Sequence, residues 1–316
     1  LERKVRTREG QIAWVEFGPG RSRLIRDLGR IDNARDVSEA LTLERLGHRG
    51  FSRAIEETFL PVARSPVDLP RQDLTGLPTF TVDPATARDF DDAVSARREG
   101  DEVRLWIHIA DVSAFVRPGS PLEEEAFLRA NSTYVPTSVE PMLPHELSSG
   151  VCSLAPGEER LAVTTEMVLS ASGDVTSTAF YRSRICSDHR LDYDQLDRIF
   201  TGREAPPEAV AEEISLSRQV AAVLADRRAG SVLEVSSKEP SFVFDDEGNV
   251  TAAVAERQTE AHRLIEQLMV LTNEQVAELT GPGTGGANAR ADGFAGSACA
   301  TDAGRDGTHH CGSDRC

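Results

Sequence analysis

The reading of this chain turns on Thr81-Val82-Asp83-Pro84-Ala85-Thr86-Ala87-Arg88-Asp89-Phe90-Asp91-Asp92. It follows a strand-like run at residues 79–82. Pro84 has no backbone N–H to donate to a ladder, so the strand stops with Asp83 at its tip and a loop begins. In an extended 89–92 segment, Asp89 and Asp91 point one way and Asp92 the other, leaving Phe90 to anchor the loop in a core. Four aspartates within ten residues repel one another and raise each other's pKa values unless a cation is present. Mg²⁺ prefers such hard oxygen ligands, completing its shell with water and substrate phosphate. Two such ions about 4 Å apart activate a water and stabilise the leaving oxygen of a phosphodiester. A Ca²⁺-stabilised loop and a solvated acidic turn remain the alternatives. An EF-hand does not fit, because that loop needs Gly at its sixth position and Glu at its twelfth.

Working outward, Val103, Leu105, Ile107 and Ile109 alternate with Arg104, Trp106 and His108, the period of a half-buried strand. This places His108 off the apolar face, and no chemistry is assigned to it. Ser120-Pro121-Leu122-Glu123 combines an N-cap Ser, Pro at the first helical position and Glu three residues after the cap, so a helix starts there. Two apolar runs, 161–169 and 175–181, flank Ser170-Ala-Ser-Gly-Asp174 and predict a hairpin. Val210, Ile214, Val220 and Leu224 mark one amphipathic helix; Leu264, Ile265, Leu268, Met269 and Val276 mark another. Strands come first and helices become denser later, which predicts an α+β (mixed α/β) domain rather than a doubly wound sheet.

Three zones follow. Residues 1–75 mix short apolar runs with charge and end in the Pro-rich stretch Leu60 to Pro70, read as a linker. Residues 76–281 form the mixed domain. Residues 282–316 lack Leu, Ile, Val, Met, Tyr and Trp and hold eight Gly and seven Ala, the composition expected of a disordered tail. Cys299, His309, His310, Cys311 and Cys316 match no usual zinc-finger spacing. The 316 residues suffice for one large domain or two ordinary ones. No run approaches the ~20 apolar residues of a membrane span, and nothing at the N-terminus resembles a signal peptide. No membrane partner and a cytoplasmic location are therefore expected. Starting at Leu1 rather than Met suggests that the first residues of the natural product are missing. Five cysteines without regular spacing fit free thiols in a reducing compartment. The net charge of −17 argues against a phosphate-rich partner, although residues 1–30 carry eight Lys/Arg against four acids.

Several segments, in order, resemble the ribonuclease II/ribonuclease R family. Leu77-Pro-Thr-Phe-Thr-Val-Asp83-Pro84 with Ala87-Arg-Asp-Phe-Asp-Asp-Ala93 is similar to its catalytic signature. Ile107-His-Ile-Ala-Asp-Val-Ser113, Val116-Arg-Pro-Gly-Ser120, Tyr134-Val-Pro136, Pro141-Met-Leu-Pro144 and Glu146-Leu-Ser148 follow. Cys152-Ser-Leu154, Phe180-Tyr-Arg-Ser183 and Leu264-Ile-Glu-Gln-Leu-Met269 with Asn273 complete the set. Residues 12–60 resemble the segment joining the family's cold-shock-like RNA-binding domains to its catalytic domain.

The resemblance implies an RNB-like catalytic domain, with a central sheet flanked by helices, incomplete at its C-terminal end. It implies a Mg²⁺-dependent, hydrolytic, processive 3′→5′ exoribonuclease that converts single-stranded RNA to nucleoside 5′-monophosphates. A monomer with no obligate protein partner is expected. Asp83, Asp89, Asp91 and Asp92 would be the catalytic and metal-binding carboxylates, with Asp91 the least dispensable. Tyr134 falls where the family stacks a terminal base, and Glu266 would line the RNA channel, although one Glu on an amphipathic helix reads equally as solvated. The family's downstream Ser-Pro-Ile-Arg-Arg-Tyr-like segment, which carries a catalytic arginine, has no counterpart here. Likeness ends after Thr280, as a frameshift or premature end would produce. A catalytically inactive RNA-binding fragment is therefore the alternative.

Overall fold

A computed structural model describes residues 8–18, 21–46, 50–67, 69–135, 138–229, 240–247, 249–255, 258–280 and 289–291. The chain opens with an antiparallel hairpin, β1 (Gln11–Gly18) and β2 (Arg21–Arg30), followed by α1 (Ala34–Leu46) and α2 (Arg53–Arg64). Next come β3 (Gln72–Asp73), β4 (Phe80–Asp83), β5 (Asp92–Glu99), β6 (Glu102–Ala110), α3 (Pro121–Arg129) and the small pair β7 (Thr133–Val135) and β8 (Ser138–Glu140). The long β9 (Glu159–Leu169) and β10 (Val175–Cys186) lead into β11 (His189–Asp192), α4 (Tyr193–Phe200) and α5 (Ala211–Arg228). A second hairpin, β12 (Pro240–Phe244) and β13 (Val250–Ala255), precedes α6 (Glu260–Thr280) and β14 (Ala289–Ala291).

The central sheet runs β11-β4-β5-β6-β9-β10-β14, with β3 also on β10. Its middle is antiparallel, whereas β11 pairs in parallel with β4, and β3 and β14 in parallel with β10. The fold is thus mixed α/β, as the distribution of sequence patterns predicts. One face packs Phe80, Val82, Val94, Leu105, Ile107, Met167 and Leu191 under the buried residues of α4, α5 and α6, including Leu196, Ile214, Leu224, Leu264 and Leu268. The other face sets Ala93, Ala110, Ala162 and Ile185 against Ile55 and Phe59 of α2, Leu122 of α3, Leu147 and Leu154. Each fully buried Leu or Ile contributes ~1.5–3 kcal/mol, so both layers hold the sheet.

Three expectations need revision. The stretch Leu60 to Pro70 is helical over its first five residues: α2 continues to Arg64 through Pro61. Burial of Ile55 and Phe59, with Val62 and Ala63 packed alongside, outweighs one missing backbone donor. His108 does lie off the face of Leu105 and Ile107, but the strand is covered on both sides and His108 is fully buried. Within the region 282–316, Ala289–Ala291 pair with Thr178–Phe180, which offer an open edge of β10. The remainder, with the three cysteines and two histidines considered for zinc, lies outside the described residues.

His108 belongs to a buried polar ladder crossing five neighbouring chain segments. Thr79 Oγ1 and Ser95 Oγ are 2.7 Å apart, and Ser95 Oγ lies 3.2 Å from His108 Nε2. His108 Nδ1 lies 2.8 Å from Thr164 Oγ1, which is 2.6 Å from Ser183 Oγ. Every member is fully buried or nearly so and partnered, as burial of polar groups requires. Burial holds the His108 imidazole neutral, its pKa pushed down to about 3.

Candidate active site

The carboxylates sit where β4 ends and β5 begins. The two strands are antiparallel, with Phe80 opposite Val94, so the intervening loop must return Asp91 and Asp92 to the neighbourhood of Asp83. Pro84 ends β4, and its carbonyl accepts from Ala87 N at 2.9 Å to close a turn. The far half of the loop is tied down from behind. Ser153 Oγ accepts from Phe90 N at 3.0 Å and donates to the Arg88 carbonyl at 2.9 Å. Leu154 N donates to the Phe90 carbonyl and Ala110 N to the Asp91 carbonyl, each at 2.9 Å. Phe90 is half-buried against the core layer under α2, the anchoring expected of it.

Asp83 is buried, Asp89 and Asp92 are half-buried, and Asp91 stands at the exposed rim. Burial raises the Asp83 pKa to about 7, the Asp92, Asp91 and Asp89 charges adding to the effect and the Arg190 guanidinium opposing it. Asp92 is pushed up to about 6 by burial and then by Asp91; Asp91 is raised by burial and then by Asp89. Asp83, Asp91 and Asp92 therefore each feel at least one neighbouring carboxylate. Asp83 Oδ2 and Asp92 Oδ2 are buried and have no hydrogen-bond partner among the described residues. An ionised carboxylate oxygen left this way is costly unless a proton or a cation meets it.

These residues fit a hard divalent cation. The donors are carboxylate oxygens, and two of them are buried without a protein partner. Among the described residues no three His, Cys, Asp or Glu side chains close into a ready-made cage. A divalent cation held here would rest on one or two of these carboxylates and complete its shell with water. Such an ion would supply polarisation of a phosphoryl oxygen and activation of water.

Tyr134, on β7, is 67% exposed and places its hydroxyl 3.4 Å from Asp89 Oδ2. Partial burial, followed by the Asp89 charge, raises its pKa. Glu266 is exposed on α6, and no described hydrogen bond or ion pair joins it to the aspartates. Sequence reasoning missed Ser153 and Arg190. Ser153 lies within the quoted Cys152-Ser-Leu154, whose regularity gave no hint that its hydroxyl serves a loop more than sixty residues earlier. A cavity of about 550 Å³ opens between the first hairpin and α1, lined among others by Ile12, Trp14, Leu28, Val37 and Leu41; no aspartate of the loop lines it.

Comparison with known proteins gives a consistent picture. The model of the RNB domain matches residues 71–282. The ribonuclease R of Escherichia coli (strain K12) is 39% identical over 214 residues, covering 66% of this chain and 26% of that protein. Mycoplasma genitalium RNase R in complex with ribose methylated single-stranded RNA superposes with a TM-score of 0.75 at 27% identity, covering 82% of this chain and 41% of that one. The same enzyme in complex with double-stranded RNA gives 0.77 at 25% identity, over 88% and 52%. The chain thus spans about a quarter to a half of the length of these proteins.

Proposed function

The chain belongs to the RNB-domain family, and on that premise we propose that it is a Mg²⁺-dependent 3′→5′ exoribonuclease acting on single-stranded RNA. The observation that carries this reading is the pair of buried, unpartnered oxygens, Asp83 Oδ2 and Asp92 Oδ2, at the end of the central sheet. Asp83, Asp89, Asp91 and Asp92 together hold the cation, with the buried oxygens of Asp83 and Asp92 on its inner side and Asp89 and Asp91 toward the rim where a phosphate arrives. Tyr134 stands exposed beside Asp89 and stacks on the terminal base, a contact worth ~1–3 kcal/mol. The net charge of −17 is compatible with an RNA partner, because a cation between carboxylates and phosphate cancels the local repulsion. Hydrolysis adds water to phosphorus and releases the 3′ oxygen of the preceding nucleotide, so the product is a nucleoside 5′-monophosphate. The relatives solved with single- and double-stranded RNA support the substrate class.

A second reading is an RNA-binding chain without catalysis. One assay separates the two. With 5′-labelled single-stranded RNA and Mg²⁺, a descending ladder is expected from the folded chain. It should disappear with EDTA and in Asp91→Asn. RNA that is retained but uncut in every lane would support the second reading and sink the first.

A further inference from the structure

Strand β11 lies parallel to β4 at the edge of the central sheet, and its register sets Arg190 beside Thr81 and Asp192 beside Asp83. Asp192 uses its carboxylate to cap α4, accepting from Gln195 N at 2.7 Å. Arg190 instead reaches into the acidic loop. Its Nη2 donates to the Pro84 carbonyl at 2.7 Å, at the point where the chain leaves β4. Its guanidinium carbon lies 5.5 Å from the centroid of the Phe90 ring, between Asp89 and Asp91. One side chain therefore touches the loop at both ends. The ties from Ser153, Leu154 and Ala110 reach only residues 88, 90 and 91. Arg190 Nε is itself buried without a hydrogen-bond partner among the described residues, so none of their carboxylates neutralises the guanidinium through that atom.

We propose that Arg190 is a positioning residue that clasps the two ends of the 84–91 loop and so sets the separation between Asp83 and the Asp89–Asp92 group across which a divalent cation binds. The proposal rests on the reading of these aspartates as metal-binding. A lysine is a poor replacement, since its ammonium is a single point on a flexible stem without a planar face for Phe90. A simple counter-charge would behave in the opposite way. Removing a positive charge beside a metal site strengthens cation binding by Coulomb's law, whereas removing a clasp weakens it. The sign of the change decides between them.

The test uses the full chain and its Arg190→Met and Arg190→Lys variants, without RNA. Mn²⁺ binding is followed by the electron paramagnetic resonance of free Mn²⁺, and backbone hydrogen exchange is followed over residues 84–91. Arg190→Met is expected to weaken Mn²⁺ binding by roughly tenfold or more, the usual cost of losing an outer support of a metal site; Arg190→Lys should cost less. Exchange over 84–91 should accelerate in both, while β9 and β10 stay protected. If Arg190→Met does not fold, Arg190→Lys carries the same readouts. Mn²⁺ bound as tightly as by wild type or more tightly, or unchanged loop exchange, would overturn the proposal alone. A wild-type chain that takes up no Mn²⁺ would overturn the metal reading and the clasp with it. Weakened Mn²⁺ binding with faster loop exchange, from a chain that never cuts RNA, would keep the clasp and reject the nuclease.

Discussion

Thr79, just before β4, and Asp83, at its end, are both buried polar residues four positions apart, yet they meet opposite fates. Thr79 begins a ladder of hydroxyls and one imidazole in which each group has a partner from a neighbouring strand. Asp83 ends in a cluster of like charges with an oxygen that has no hydrogen-bond partner among the described residues. Where burial is matched by partners, a polar group specifies strand register and stabilises. Where burial leaves like charges facing one another, the protein gives up stability at a place where a ligand can restore it. The ladder is thus a structural device, whereas the loop carries the uncompensated charge on which the proposed cation site rests.

Exchanging charge for amide at the loop gives the largest expected effect. Asp83→Asn and Asp92→Asn should each lower ribonuclease activity by at least about 100-fold if the cation site carries the chemistry. The same changes should raise the stability of the metal-free chain at pH 8 by about 1 kcal/mol, because a neutral amide relieves repulsion and desolvation. Activity assays and urea unfolding in EDTA read the two signs. A variant that loses stability in EDTA would erase the contrast with the ladder.

The ladder should respond in the reverse sense. His108→Ala leaves a cavity and removes one of the partners of Ser95 and of Thr164, so a loss of about 3–5 kcal/mol is expected. Thr164→Val, which leaves the imidazole and Ser183 without one partner each, should cost about 1–3 kcal/mol. Urea midpoints measure both, and neither change should alter Mn²⁺ affinity by more than about twofold, since no member of the ladder touches the loop.

A pH dependence of opposite sign is expected in the two regions. Asp83 and Asp92 have folded pKa values of about 7 and about 6, above their usual 3.8. Their contribution to stability is complete below 3.8 and is lost as pH rises through 6 to 7. His108, held down to about 3 against 6.5, is neutral in both states above 6.5. It costs stability as pH falls from 6.5 toward 3, where only the unfolded chain takes up the proton. In EDTA, stability plotted against pH should therefore decline on both sides of an intermediate pH. Asp83→Asn should flatten the alkaline limb and His108→Gln the acid limb. Mg²⁺ should restore more stability at pH 8 than at pH 5.5; equal restoration would argue that the ion binds elsewhere.

Much of this was legible locally. The alternation at 103–109 and the two runs around Ser170 to Asp174 mark β6 and the β9–β10 hairpin, because a strand's side-chain period is read directly along the chain. Ser120 caps α3 by accepting from Glu123 N, as its short-range signature predicts. The four aspartates are close in sequence, so a loop alone suffices to bring them near one another. What escaped were relations between distant segments. Alternation tells which side of β6 His108 takes, but not that α2 and its neighbours cover that side too. The helix through Pro61 is stabilised by what it packs on rather than by its own composition. The pairing of β11 with β4, more than a hundred residues apart in sequence, is what delivers Arg190 to the acidic loop. Sequence alone therefore determined the mixed α/β class, the local elements and the density of carboxylates, all of which depend on short-range pattern. Only the tertiary structure decided which polar groups were satisfied and which were left facing one another, because that depends on partners contributed from elsewhere in the chain.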